Sequence, residues 1–312
     1  MSYLILALAG LLSGGIVFGA KVLALNGATP FELMLFPSLI GTLIFLPFVG
    51  ADFKKVLRVP FAVTAIYVFS VLAVTIGEYV PLYMNVSVTL VLLLVYMQPV
   101  WTILIERFYF HRKIPASSWQ LVGLMVFGLL LLINPFRGLH FSLLGMVLPL
   151  LAGFGESLWI FVTQYFSKQG IKPLTNYWCT CFYATLPLGI LYFVANDCYP
   201  RQFAGLDTLS FDLSPHLWIS FFIYSLLIYT PANTLIFLGN KNVPAGIIGM
   251  ILLLEPVVGI TLDVIFLHNP LTWNLIAGGV IILAANILLI KKNSSLTLRR
   301  HAAAVQARST ES

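Results

Sequence analysis

Apolar side chains fill ten stretches of this chain, and polar side chains collect in the gaps between them. The stretches lie at roughly 3–25, 30–50, 60–82, 86–109, 116–135, 143–166, 174–196, 217–238, 245–267 and 271–290. Several approach or exceed the ~20 apolar residues that a bilayer-spanning helix needs. Connections such as NGAT at 26–29 and HNP at 268–270 are short enough to predict tightly packed antiparallel helices. The one long connection, DCYPRQFAGLDTLSFDLSPH at 197–216, reads as a loop from its Asp, Pro and Gly content. The pattern predicts an all-α polytopic membrane protein with ten transmembrane helices.

Composition agrees. Of the 312 residues, 60% are hydrophobic and 9% charged, against about 25% charged in soluble domains. Lipid must therefore cover much of the surface. The net charge of +6 does not point to nucleic acid, because its placement follows the spans. With the N-terminus in the cytoplasm, fourteen of the 17 Lys and Arg residues fall on the inner side. Arg137 and Arg201 fall outside and Lys21 lies in the first span. This is the positive-inside bias, and it predicts a multi-pass protein of the cell (inner, cytoplasmic) membrane with both termini cytoplasmic. The polar segment 292–312 reads as a flexible cytoplasmic tail that anionic head groups would attract. The N-terminal MSYLILALAG has no basic region and no cleavage signal, so the first helix reads as retained. Cys179 and Cys181 sit in an apolar run and Cys198 in the long connection, which predicts free thiols.

The stretch YMQPVWTILIE at 96–106 has an echo in LLEPVVGITLD at 253–263. Aligned on Pro99 and Pro256, the two share a following Val, an acid seven residues on (Glu106, Asp263) and a His twelve residues on (His111, His268). Trp119 and Trp273 then open the following helices, and Gly123 and Gly279 follow after a one-residue slip. Five spans separate the copies, so the halves run in opposite directions. The predicted organisation is two inverted five-helix repeats, 1–136 and 137–291, followed by the tail 292–312. Inverted repeats characterise secondary transporters, whose substrate sites lie near the membrane midplane at the repeat interface.

On these residues the chain resembles the drug/metabolite transporter superfamily, and within it the ten-helix EamA-like transporters. Residues 244–291 are similar to that family's second repeat: a Leu-Glu-Pro-Val core, a Pro-Leu turn and a glycine-bearing last helix. Residues 82–131 resemble the first repeat, and Lys21 falls where the family often has a lysine. The chain departs from the pattern in four places. His111-Arg112 and His268-Asn269 replace the usual Gly-Glu, Pro37 stands where an Arg is common, and Glu156 where a Trp is common. The resemblance implies a transporter without naming a substrate.

An ionisable residue inside a span costs at least ~2.5 kcal/mol to insert and is a functional candidate by default. Lys21, Glu32, Glu78, Glu156, Glu255 and Asp263 qualify. Glu255, Gln98 and Glu156 fall near mid-membrane by residue count. Glu32 and Asp263 lie near span ends, where snorkelling is expected, and Glu106 beside Arg107 reads as interfacial. Pro256 cannot donate to the carbonyl of Leu252, so the helix opens next to Glu255. There Glu255 either binds a cation, carries a proton, or fixes helix packing. Gly153 and Gly155 permit close approach beside Glu156, with Trp159 on the same face. Pro231 in IYTPANT opens another helix beside Thr230 and Asn233, as a hinge or as a cavity wall.

Trp119, Trp218 and Trp273 sit at span ends and read as interface anchors. Tyr79, Tyr83, Trp101, Trp159, Tyr177 and Trp178 lie within spans and either pack or form the walls of an organic-cation site by cation–π contact. The candidate substrate-binding set is therefore Glu78, Tyr79, Tyr83, Gln98, Trp101, Glu156, Trp159, Tyr177, Trp178, Asn233 and Glu255, with Glu255 as the proton-coupling candidate. No cofactor or metal is called for.

The leading function is secondary transport by alternating access of a small cationic or zwitterionic metabolite: an amino acid, a quaternary amine or an adenosyl-sulfonium compound. Coupling is to protons or counter-exchange, because no G-x-x-x-x-G-K-[ST] phosphate loop occurs. The alternatives are an intramembrane enzyme, or a non-transporting sensor or scramblase. Against an enzyme, there is no H-E-x-x-H, and all five histidines fall outside spans or at their edges. The expected partners are a small-molecule substrate and the lipid bilayer, not nucleic acid, with the protein a monomer or homodimer.

Overall fold

The computed structural model describes residues 2–50, 52–111, 114–133, 143–198, 214–239, 251–289 and 291. Outside them lie most of the long connection, the start of the ninth span at 245–250 and the tail 292–312. Arg112, Lys113, Arg137, Arg201, Lys241 and the basic residues of the tail are outside them too.

The first helices are α1 (Ser2–Leu25), α2 (Pro30–Phe45, closed by a 3₁₀ turn at Leu46–Phe48), a short α3 (Phe53–Leu57) and α4 (Phe61–Tyr83). Next come α5 (Val88–Val95), α6 (Gln98–Phe108), α7 (Ala116–Ile133), α8 (Leu143–Lys168) and α9 (Pro173–Cys198). Then α10 (Pro215–Tyr224) joins α11 (Thr230–Gly239) through a π turn at Ser225–Tyr229, and α12 (Leu254–Phe266) follows. Last is α13 (Trp273–Leu289). Among the described residues six stretches are long and apolar enough to cross a membrane, at Tyr3–Leu25, Pro30–Phe48, Phe61–Tyr83, Val88–Phe108, Leu143–Lys168 and Pro215–Gly239. Large apolar side chains stay on the outside, among them Phe61 at 87% and Trp273 at 83% exposure. A soluble protein would bury them; a bilayer solvates them. The chain is an all-helical polytopic membrane protein. Cys198 ends α9 instead of lying in a loop, while Cys179 and Cys181 are buried free thiols.

Both Pro-Val copies break their helix at one place. Tyr96 and Met97 form a turn between α5 and α6, and Leu253 forms one just before α12. The proline, lacking an N–H, stands at the second position of α6 and the third of α12, within the first turn where no donor is needed. Twelve residues after each proline, His111 (φ 51°) and His268 (φ 54°) adopt left-handed backbone. That conformation is free of cost only for glycine, which explains why the resembling family has one there.

The packing is also doubled. α1 packs on α12, laying Gly10 against the Ile251 carbonyl and Gly14 against the Glu255 carbonyl. α8 packs on α5 and α6, laying Gly153 against the Val95 carbonyl, while Ser157 Oγ donates to the Gln98 carbonyl at 2.9 Å. Side chains larger than these could not approach backbone so closely. α4 lies along α8 and α11 along α1, α2 lies on α9, and α5 meets α12. Gly128 of α7 approaches the Gly278 carbonyl of α13.

Polar clasps hold the two ends. At one, Asp52 accepts from Lys55 Nζ (2.7 Å), the Lys172 amide (2.9 Å) and Thr175 Oγ1 (3.4 Å). Lys55 Nζ also donates to the Gly170 carbonyl at 2.7 Å. The connection before α3 is thus tied to the one between α8 and α9. Burial alone would push the Asp52 carboxyl up, but the Lys55 ammonium and the Lys172 amide outweigh it and hold the carboxyl below its usual range. A folded value below the unfolded one stabilises the fold above about pH 4 and loses that contribution as pH falls through the folded value. The Tm of purified protein should therefore drop between about pH 5 and pH 3, and Asp52→Asn should flatten that drop. An equally steep drop in Asp52→Asn would remove Asp52 as its cause.

At the other end Asp263 is 0% exposed, not snorkelling. Its Oδ2 accepts from the Thr89 amide (2.9 Å) and Thr89 Oγ1 (2.6 Å), and its Oδ1 from Asn269 Nδ2 (2.8 Å). Glu32 is likewise 0% exposed and forms a capping box with Thr29 at the start of α2. Both acids lie near helix ends as expected, but face inward because N-terminal amides there need acceptors. Trp218 is half-buried, its ring packing on Phe36 at 4.9 Å.

Candidate functional site

Between these ends α1, α4, α8, α9, α11 and α12 surround a cavity of about 110 Å³. α4 contributes Val71, Val74, Thr75, Glu78 and Tyr79, the stripe of one helical face. Ser13 and Ile16 come from α1, Glu156 and Trp159 from α8, Thr180 from α9 and Glu255 from α12. The π turn and α11 supply Tyr229, Asn233 and Ile236. The extra residue of a π turn re-aims the helix before Pro231, and Asn233 Nδ2 spans the break to the Tyr229 carbonyl at 2.9 Å. This Pro231 break therefore forms a wall of the cavity.

Three carboxylates from three helices meet here. Glu255 stands at the break before α12, where Tyr96 Oη takes up the carbonyl that Pro256 leaves free, Leu252, at 2.8 Å. Tyr96 Oη also lies 3.3 Å from Glu255 Oε2, and Asn286 Nδ2 donates to the Tyr96 carbonyl at 3.0 Å. Glu78 and Glu156 accept no hydrogen bond from the described residues, and no lysine, arginine or histidine is among those lining the cavity. Lys21 is engaged beyond it, donating to the Leu82 carbonyl near the C-terminal end of α4.

The aromatic walls are fixed from behind. Trp159 Nε1 donates to Thr180 Oγ1 at 3.2 Å and its ring stands edge-on to Phe237, 5.4 Å between centroids. Tyr79 Oη pairs with Tyr224 Oη at 3.3 Å, and Tyr224 Oη donates to the Ile16 carbonyl at 3.1 Å.

Residues 1–134 and 143–291 each match the EamA-like transporter family. The chain belongs to that family. An uncharacterized transporter of Bacillus subtilis strain 168, YdfC, is 26% identical over 171 residues, 53% of this chain and 54% of the relative. The match thus spans about half the length of that relative. A crystal structure 13% identical superposes with a TM-score of 0.58, covering 91% of this chain and 98% of its own. That likeness concerns the fold alone. Membership in that family points to a membrane transporter rather than an enzyme.

Of the sequence candidates in this EamA-like chain, Glu78, Tyr79, Glu156, Trp159, Asn233 and Glu255 line the cavity. The other five lie elsewhere. Gln98 turns toward Thr102 (2.9 Å) because α8 packs over that side of the break. Tyr83 donates to the Ala28 carbonyl at the α1–α2 turn. Trp101 stands edge-on to Phe154 at 5.5 Å, and Tyr177 packs between Phe45 and Phe237. Trp178 stacks on Phe182 and donates Nε1 to the Thr42 carbonyl at 3.1 Å. Sequence reasoning missed Ser13, Thr75, Thr180 and Tyr229 in the walls, and Tyr96 behind Glu255. Thr75 was recoverable from its spacing to Glu78 and Tyr79 on one helical face. Tyr229 was not, because a π turn shifts the register of α11.

Proposed function

We propose that this protein is a secondary transporter that moves a small cationic or zwitterionic metabolite across the cell membrane by alternating access, coupled to protons or to counter-exchange. The observation that carries the reading is one cavity into which three carboxylates without a basic partner in the lining, and an aromatic wall, project. Ten spans in two inverted halves, with both termini in the cytoplasm, are part of the proposal. The doubled helix breaks, the doubled left-handed histidines and the doubled glycine contacts support the repeat, and the distribution of Lys and Arg supports the orientation. Glu255 is the proposed proton carrier, since a carboxylate at an opened backbone can exchange its proton with a wet cavity.

The test is transport by purified protein in liposomes, using labelled amino acids, amines and an adenosyl-sulfonium compound, with and without a pH gradient. Saturable movement of at least one of them is expected. If protein-containing and empty vesicles behaved alike across the whole panel, the reading would fail.

A further inference from the structure

We infer that the cavity is built for an aliphatic dication, a short primary diamine whose two ammonium groups rest on different carboxylates. The inference rests on the transporter reading and narrows its substrate class. Glu78, Glu156 and Glu255 bring up to three negative charges into one low-dielectric cavity whose described lining carries no basic side chain. Buried charge must be neutralised by a partner. A point charge is a poor partner, because no three His, Cys, Asp or Glu residues among those described stand close enough to hold a metal ion. The positive charge has to be spread out, with apolar matter between its ends. The wall supplies the match: Ile16, Val71, Val74 and Ile236 line the same cavity as the acids, and Trp159 adds an aromatic surface.

A second, independent feature points to a ligand with N–H donors. The Ser13 hydroxyl lines the same cavity, is 2% exposed and has no hydrogen-bond partner. Within a helix a serine ordinarily satisfies itself on the carbonyl four residues back. Left unpaired, it is an acceptor ready for an ammonium. A zwitterion would add a fourth carboxylate to a cavity that has no cationic partner for it, and a monoamine would leave two of the three carboxylates unmatched, where a diamine leaves one, the place of the proton assigned to Glu255.

The experiment holds length constant and varies charge. Vesicles loaded with 1,4-diaminobutane would be tested for exchange of labelled 1,4-diaminobutane, with butylamine and 4-aminobutanoate as competitors on the same four-carbon chain. The diamine is expected to compete at least about tenfold better than butylamine, and 4-aminobutanoate not to compete. Glu78→Gln and Glu156→Gln should each weaken diamine exchange by about tenfold or more and affect butylamine less. Equal competition by butylamine, preference for 4-aminobutanoate, or no exchange of the diamine would overturn the inference. If another compound of the panel above still moved, transport itself would stand; if nothing moved, both readings would fall. The comparison of ligands on the parent protein does not depend on how well the variants fold.

Discussion

Glu255→Gln is expected to abolish accumulation of substrate against its gradient while leaving the protein folded and able to exchange. Glutamine keeps the shape of the side chain and an oxygen toward Tyr96 Oη, which lies 3.3 Å from the carboxylate in the parent. It removes only the charge and the proton. Losing a buried charge contact typically costs about 2–5 kcal/mol, a thirtyfold effect or more, so uphill uptake should fall by at least that factor. Reconstituted vesicles with an imposed pH gradient would measure it, against passive exchange in the same preparation. Uphill transport with an unchanged pH dependence would take the coupling role away from Glu255 and leave Glu78 and Glu156, on the same cavity, as its holders. Tyr96→Phe is the companion variant. It strips the Leu252 carbonyl of its partner but keeps the titrating group, so slower transport with coupling retained is the expected result.

Asp263→Ala should be among the most destabilising single substitutions outside the cavity. The carboxylate is 0% exposed and accepts three hydrogen bonds. One comes from the Thr89 amide, an N-terminal donor of α5 with no partner inside its own helix. Ser87 caps the next amide, that of Leu90, at 3.2 Å, so Asp263 and Ser87 divide the work between a local and a distant acceptor. Hydrogen bonds to a charged group contribute about 1.5–3 kcal/mol each, and the carboxylate also meets the positive end of the helix dipole. A loss of about 3 kcal/mol is expected, seen as a fall in Tm of about 5 °C or more in detergent. Asp263→Asn, which keeps one oxygen acceptor, should lose about half as much. A Tm within about 1 °C of the parent for Asp263→Ala would show that the clasp contributes nothing to stability.

Much of the fold was legible because a membrane makes harsh demands on a sequence. Long apolar runs and short polar gaps leave few alternatives to transmembrane helices, and the Pro-Val echo marks both helix breaks. The freed carbonyl of Leu252 followed from Pro256 alone, since a missing N–H has only one consequence in a helix. Its partner did not follow: Tyr96 lies 156 residues away in sequence, and only packing of α12 against α5 and α6 brings its hydroxyl within 2.8 Å. The same limit misplaced the two acids near span ends. Depth alone predicts snorkelling for Glu32 and Asp263, but depth does not say whether a neighbouring helix end lies alongside.

The candidate site divided in the same way. Glu78, Glu156 and Glu255 were identifiable one by one, because charge within an apolar run is costly wherever it points. Gln98 matches Glu255 across the repeat, yet Thr102 and Ser157 draw that side of the break away from the cavity. Trp101, Tyr177 and Trp178 show why aromatic residues are poor markers of a site: a ring buried on another ring looks, in sequence, like a ring on a cavity wall.

By itself the sequence determined that this chain spans a membrane many times, that two of its helices break at matched prolines, and which acids lie at depth. Those properties depend on composition and on neighbours a few residues away. Only the tertiary structure decided that three of the acids share one cavity, that Asp263 and Glu32 serve helix ends, and that Asp52 ties two distant connections together. Each of these depends on which helices lie side by side, and helix rotation and pairing are set by the fit of glycine to backbone and ring to ring across the whole bundle.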